Sequence, residues 1–174
     1  MIYCIADTHF GHKMLKEKGL RVENSEEVII HNWNSIVKPT DTVIHLGDFC
    51  LGRFPGSTID NKLWSLSEST LLWRNKLNGS IILVKGNHDK APCPWFMDNG
   101  FVFCCDQFEM KYKGKQLLFT HEPIANNDQK INIHGHIHST LRKEELGFDI
   151  NNKFYRNVAV DHISFRPILL NVLI

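Results

Sequence analysis

Short apolar runs, each closed by a small cluster of Asp, Asn, Gly and His, set the pattern of this chain. Met1 to Ala6 reads as a buried strand with Asp7 and His9 just past its end. Val28, Ile29, Trp33, Ile36 and Val37 recur at helical spacing, so Ser25 to Val37 reads as a helix, with Ser25 as its N-cap and Lys38-Pro39 as its stop. Thr42 to Leu46 is a second strand that runs directly into Gly47-Asp48. A Gly- and Pro-containing loop over Leu51 to Ser57 precedes a second helix, Ile59 to Leu77, ended near Asn78-Gly79. Ile81 to Val84 is a third strand, and it too delivers a polar cluster at its C-terminal end.

Past Pro92 and Pro94 the pattern changes. Phe101 to Cys105, Phe108 to Tyr112 and Gln116 to Thr120 read as strands, the last two joined by a turn at Lys113-Gly114. Ile131 to His134 is a further strand entering Gly135, and Tyr155 to Val160 and Pro167 to Val172 complete the set. The first half is therefore β-α-β-α-β, which calls for parallel strands with helical crossovers, and the second half is mostly β. Two sheets packed face to face with helices outside satisfy both halves. The polar clusters fall at strand ends, where open α/β sheets place their ligands.

Composition narrows the possibilities without changing this outline. A chain of 174 residues with 43% hydrophobic positions is expected to be one domain, residues 1–174, with a real core. No apolar run is long enough to span a bilayer, and cleavage of a leader would destroy the cluster at Asp7. A net charge of +1 argues against strong nucleic-acid binding, whereas a small phosphorylated substrate needs no basic excess. The cysteines at 4, 50, 93, 104 and 105 form no Cys-x-x-Cys pair and read as small apolar residues in a reducing cytoplasm.

The clusters themselves carry the chemistry. They are Asp7-Thr8-His9, Gly47-Asp48, Gly86-Asn87-His88-Asp89, His121 and Gly135-His136-Ile137-His138. Residues two apart in extended chain share a face, so Asp7 with His9 can close on one ion, as can His136 with His138. Gly135 is expected to free the backbone to turn at its strand end. Asp48 sits at the end of a buried strand, where an unpaired carboxylate is costly, and a carboxylate can bridge two cations. Asn87 offers a carbonyl oxygen suited to a hard cation. His88 beside it is a candidate to face a substrate and donate a proton, with Asp89 orienting it. Each cluster alone also reads as a cap, turn or structural histidine; their recurrence in series favours metal binding.

In this order the five clusters resemble the motifs of the calcineurin-like metallophosphoesterase superfamily: Asp-x-His, Gly-Asp, Gly-Asn-His-Asp or Glu, His, and Gly-His-x-His. Asn157 to Asp161 looks like the closing strand of its small prokaryotic and phage members, so the resemblance covers nearly the whole chain. It implies a four-layer α/β/β/α sandwich with two mixed sheets and a dinuclear metal site at the strand C-terminal ends. It assigns Asp7, His9 and His138 to one ion and Asn87, His121 and His136 to the other, with Asp48 between them and His88 as the outer catalytic histidine. The implied reaction is hydrolysis of a phosphate ester by in-line attack of a metal-bridging hydroxide. Mixed oxygen and nitrogen ligation suits Mn²⁺, Fe, Zn²⁺, Ni²⁺ or Co²⁺, and the resemblance puts Mn²⁺ first.

The remaining residues refine the expectation. His12 lies three residues after His9, placed either to contact a substrate phosphate or to start a helix as a supporting histidine. His45 and His134, on the strands ahead of Asp48 and Gly135, read as supporting residues. Arg21 and Arg53 lie in loops that can reach the site, where a guanidinium suits a phosphate; neither is placed in it. Gly47-Asp48-Phe49-Cys50-Leu51-Gly52-Arg53 lacks the Asp-Arg that protein phosphatases carry in register. A phosphodiesterase or nucleotide phosphohydrolase is expected, with a phosphomonoesterase or a non-catalytic protein-binding scaffold as alternatives.

Overall fold

A computed structural model describes residues 1–51, 66–125, 129–138 and 152–174. The elements are β1 (Ile2–Ile5), α1 (Lys13–Glu17), α2 (Ser25–Ile36), β2 (Thr42–His45), α3 (Leu66–Arg74), β3 (Ser80–Val84) and α4 (Cys93–Asp98). They continue with β4 (Phe103–Cys105), β5 (Gln107–Tyr112), β6 (Lys115–Thr120), β7 (Ile131–His134), β8 (Tyr155–Asn157) and β9 (Ile168–Leu169).

The strands form two sheets, one ordered β4-β3-β2-β1-β9 and the other β5-β6-β7-β8. β1, β2, β3 and β4 pair in parallel and β9 joins β1 antiparallel, so the first sheet is mixed. In the second, β5 pairs antiparallel with β6, while β6, β7 and β8 run parallel. The central strands are covered on both faces, which is why β2 and β3 read as near-continuous apolar runs rather than alternating ones. One core joins the layers: Trp33 of α2, Ile44 and Leu83 of the first sheet, and Leu117, Phe119 and Ile133 of the second are all buried in it. Chain beyond β8 crosses back to β1, where Ala6 donates to Val158 O and accepts from Val160 N–H at 2.9 and 3.1 Å. That crossing brings the end of β7 against the end of β1.

Several boundaries differ from expectation, each for a local reason. The first long helix stops at Ile36, and Val37 turns extended before Lys38-Pro39. Asn24, not Ser25, occupies its N-cap position, and the Ser25 hydroxyl bonds Glu26 instead. Of the helix expected over Ile59 to Leu77, α3 is seen from Leu66 to Arg74, and its earlier part, with the loop over 52–57, Arg53 and Trp64, lies outside the described residues. α4 was not expected, and α1, with His12 in its N-cap position, matches the alternative of His12 starting a helix. The prolines that marked a change of pattern serve as a helix start, with Pro92 in the N-cap position and Pro94 inside the first turn, where a missing N–H costs nothing. The strands read over Tyr155 to Val160 and Pro167 to Val172 each end early, in single 3₁₀ turns at Val160–His162 and Leu170–Val172. Lys113 and Gly114 both have positive φ, 47° and 79°, the two-residue hairpin geometry expected there.

Candidate metal centre

The ends of β1, β2, β3, β6 and β7 converge, and each carries one of the five clusters. The turns leaving β1, β2 and β7 are tight enough to force left-handed backbone on side chains that normally avoid it: Asp7 at φ 59°, His9 at 46°, Asp48 at 55° and His136 at 65°. Such conformations cost on the order of 1–3 kcal/mol each and persist where surrounding structure over-determines them. Here the loops brace one another. Asp7 N–H donates to Gly47 O and His9 N–H to Asp48 O, both at 2.9 Å.

The two carboxylates are held from the opposite side. Asp7 Oδ2 accepts from His136 N–H at 2.9 Å, and Asp48 Oδ1 accepts from His88 N–H at 2.8 Å. Each acid thus spends one oxygen on a neighbouring loop and aims the other into a common space. Asp7 Oδ1 lies 3.5 Å from His138 Nε2 and 3.9 Å from His9 Nε2, yet is buried without a hydrogen-bond partner among the described residues. Asp48 Oδ2 stands nearly midway between two imidazoles, 3.5 Å from His9 Nε2 and 3.6 Å from His121 Nε2. On the far side, Asn87 Oδ1 is 2.9 Å from His121 Nε2 and 3.2 Å from His136 Nδ1. Donors bound to one first-row ion at about 2.0–2.2 Å stand roughly 3–3.6 Å from each other. The pairs at 2.9–3.6 Å are close to that spacing and the Asp7–His9 pair at 3.9 Å is slightly wider, and both Asp7–His9–His138 and Asp7–Asp48–His121 bring their ligand atoms within 4.8 Å.

Electrostatics agree. Burial pushes the Asp7 carboxyl up to about 8, because His138 and the loop N–H only partly offset lost hydration. Burial drives His9 far below the ordinary imidazole range and lowers His121 as well, so both keep a neutral ring with a free lone pair. An uncompensated buried acid facing neutral imidazoles is the charge arrangement that a divalent cation neutralises. The residues present therefore fit divalent ions.

Further residues hold the ligands in place. The Arg21 guanidinium is buried and donates to Asp7 O at 2.6 Å, to Thr8 O at 2.7 Å and to Asp161 Oδ1 at 3.2 Å. Asp161 Oδ2 is 2.5 Å from His138 Nδ1, which leaves Nε2 facing the cluster. Burial alone would lower His138, but the Asp161 bond and Asp7 outweigh it and raise its pKa. Arg21 thus reaches the site as anticipated, but its donors are taken by backbone and Asp161, not by a phosphate. Thr8 donates to Phe49 O at 2.8 Å and so accepts from His45 Nε2 at 2.9 Å, with His45 held neutral by burial that lowers it to about 3. His162 and Asn157 both donate to Ile137 O, fixing the peptide between His136 and His138.

Two expectations need correction. Asp89 does not orient the His88 ring: its carboxylate accepts from the N–H groups of Asp48 at 2.7 Å, Gly86 at 2.9 Å and Phe49 at 3.3 Å, so it pins the Asp48 turn. Gly135 is not needed for a left-handed turn; His136 takes that conformation instead. Gly135 is small because a Cβ there would sit 2.4 Å from Asp7 Oδ2. Arg21, Asp161 and Asn157 were not read as site residues. The hint was the position of Asn157 and Asp161 in the closing stretch, but nothing in the spacing ties residue 21 to residue 161.

His88 and His12 line the mouth. The His88 ring is 40% exposed, stands edge-on to His9 at 5.4 Å between centroids, and places Nε2 3.9 Å from Asp48 Oδ2. His12 packs 5.4 Å from His9 and 6.5 Å from His88. A groove of about 400 Å³ opens beside Asn87 and His121, bordered by Lys85, Gln107 and Glu122.

A centre of clustered Asp, Asn and His at the meeting of two sheets defines a metal-binding hydrolase site. The chain belongs to the calcineurin-like phosphoesterases, whose family model matches residues 1–171. Hydrolysis of phosphoester bonds with divalent metal is that family's chemistry. An uncharacterised protein of Methanocaldococcus jannaschii, MJ1445, is 29% identical over 181 residues, covering 99% of this chain and 89% of that protein. The crystal structure of AQ665, a protein of unknown function from Aquifex aeolicus, matches with a TM-score of 0.69 and 28% identity over 97% of this chain and 94% of that one. An archaeal phosphodiesterase structure is also similar, with a TM-score of 0.49 and 20% identity over 91% of this chain and 81% of that one. Among the described residues no helix is long and apolar enough to cross a membrane.

Proposed function

We propose that this chain is a phosphodiesterase or nucleotide phosphohydrolase built on two divalent ions. The observation that carries the reading is the buried Asp7 Oδ1, without a hydrogen-bond partner among the described residues and facing the ring nitrogens of His138 and His9 at 3.5 and 3.9 Å. Asp7, His9 and His138 would hold one ion, and Asn87, His121 and His136 the other. Asp48 lies between them, since its Oδ2 is equally near His9 and His121. Bound divalent ions supply Lewis-acid charge for the phosphoryl oxygens and lower the pKa of a nucleophilic water.

The chain's own residues do the rest. The His88 ring is partly exposed at the mouth, and its backbone N–H is tied to Asp48, which positions the residue beside the centre. From there Nε2 donates a proton to the departing ester oxygen or hydrogen-bonds charge that develops on it. His12, on the same rim, contacts a non-bridging phosphate oxygen. The groove beside Asn87 receives the group carried by the phosphate, and its size suits a nucleoside better than a protein side chain. Mn²⁺ is the expected native ion, since the mixed donors accept several first-row metals and availability then decides. The five cysteines, none of them in a disulfide among the described residues, fit a reducing, cytoplasmic setting.

The test is hydrolysis of bis-p-nitrophenyl phosphate by purified protein. Activity is expected with added Mn²⁺ and is expected to vanish with chelator. Turnover that survives thorough metal removal would refute the metal-dependent reading. A parallel screen of monoesters, cyclic nucleotides and short oligonucleotides decides between ester classes.

A further inference from the structure

The two halves of the centre are supported unequally. His138 is fixed through Nδ1 by Asp161, Asp161 is fixed by Arg21, and Arg21 also grips the carbonyls of Asp7 and Thr8. One buried guanidinium thus ties the backbone of Asp7 and the ring of His138 into a single unit, with His9 two residues along the same loop. The Asp7 backbone and the His138 ring are placed before any ion arrives, and His9 is buried beside them with its Nδ1 lacking a hydrogen-bond partner among the described residues. In the other half, His121 has a backbone carbonyl behind it, Leu46 O at 2.8 Å from Nδ1. Asn87 is exposed, its amide oxygen touches only ring nitrogens among the described residues, and it is uncharged. His136 is half-buried, and its ring meets only the Asn87 amide oxygen and the His121 ring among the contacts described, both members of this same half. Binding to this half must order side chains that binding to the first half finds already placed, and ordering costs affinity.

Resting on the metal-centre reading above, we propose that Arg21 and Asp161 are positioning residues for one ion only. They pre-assemble Asp7, His9 and His138 into a tight site that fills first, while the Asn87–His121–His136 half fills at higher metal concentration. Asp161 is the handle on this hierarchy, because a carboxylate behind a metal-bound histidine raises its basicity and fixes its ring, and losing it weakens metal binding about 10–100-fold.

The experiment is calorimetric titration of chelator-stripped protein with Mn²⁺, paired with electron paramagnetic resonance at one and two equivalents. The parent is expected to bind in two resolved steps, with an isolated-ion spectrum at one equivalent and a spin-coupled spectrum at two. Asp161→Asn is expected to weaken the tighter step by about 10–100-fold and leave the weaker step unchanged. Two equal steps in the parent, or a loss shared by both steps in Asp161→Asn, overturn the proposal while leaving a metal centre in place. No Mn²⁺ binding at all overturns the metal-centre reading and this inference with it. Circular dichroism checks that Asp161→Asn folds; if it does not, Arg21→Lys carries the same test, with the tighter step alone expected to weaken and a shared loss again decisive against it.

Discussion

Replacing Gly86 by alanine tests the packing that brings the centre together. A Cβ at this position would lie 2.2 Å from Asp48 Oδ1 and 2.5 Å from the Asp48 backbone nitrogen. Ordinary contacts settle near ~3.5 Å, so about 1 Å of movement is required. Asp48 cannot swing away cheaply, because His88 N–H holds that oxygen and Asp89 holds the peptide N–H. Overpacking of this kind costs about 1–3 kcal/mol. In a chain of this length that corresponds to a fall in melting midpoint of roughly 2–12 °C. A ligand moved by about 1 Å costs on the order of 10²-fold in rate. Gly86→Ala is therefore expected to melt several degrees lower and to lose most of its Mn²⁺-dependent phosphodiesterase activity. Thermal denaturation with and without Mn²⁺, followed by hydrolysis of bis-p-nitrophenyl phosphate, measures both. A variant with parent-like melting and turnover would show that the Gly86–Asp48 contact does not constrain the site.

Further predictions follow from the same geometry. His88→Ala is expected to lower turnover while retaining parent metal content by elemental analysis; loss of metal would make His88 a ligand instead. His12→Ala is expected to raise KM for phosphate esters more than it lowers kcat, and an unchanged KM would remove it from the substrate contacts. Above about pH 7, where the lowered imidazoles of His9, His45 and His121 are neutral both folded and unfolded, metal-free protein should lose stability as pH rises. The folded Asp7 pKa, about 8, exceeds its ordinary 3.8, so the folded state holds the extra proton between those values and the unfolded state does not. That gives a decline of up to about 1.4 kcal/mol per pH unit in the window, and the raised His138 acts in the same direction. Urea midpoints of chelator-treated protein at pH 7 and pH 8, both above the ordinary imidazole pKa, check it, and a higher midpoint at pH 8 contradicts the assignment. Saturating Mn²⁺ is expected to stabilise the protein, by about 2.7 kcal/mol at a hundredfold excess over Kd.

The parallel run of β1, β2 and β3 was legible because the strands are short, buried and separated by helical segments; β4 and β9 were read with the strand-rich second half, yet they pair at the two edges of the first sheet. Also legible was a list of candidate metal ligands, because Asp-x-His and His-x-His spacing has meaning in extended chain before any fold is known. The small elements were not, apart from a helix start at His12 read as one alternative. α1 contains no buried residue, so it leaves no apolar periodicity to read. α4 begins between two prolines whose local preferences suit either a loop or a helix start. The role of Asp89 was misread because it is adjacent to His88 in sequence, whereas its oxygens meet backbone N–H groups about 40 residues away.

By itself, the sequence determined which side chains are available for metal chemistry and that each lies at the end of a strand, since apolar runs and the polar clusters that close them are local properties. Only the tertiary structure decided which oxygen of each carboxylate faces the centre, which glycines are required by close approach, and that Arg21 and Asp161 stand behind one half of the site. These depend on segments up to 140 residues apart meeting within hydrogen-bond distance, and such contacts leave no periodic trace along a chain.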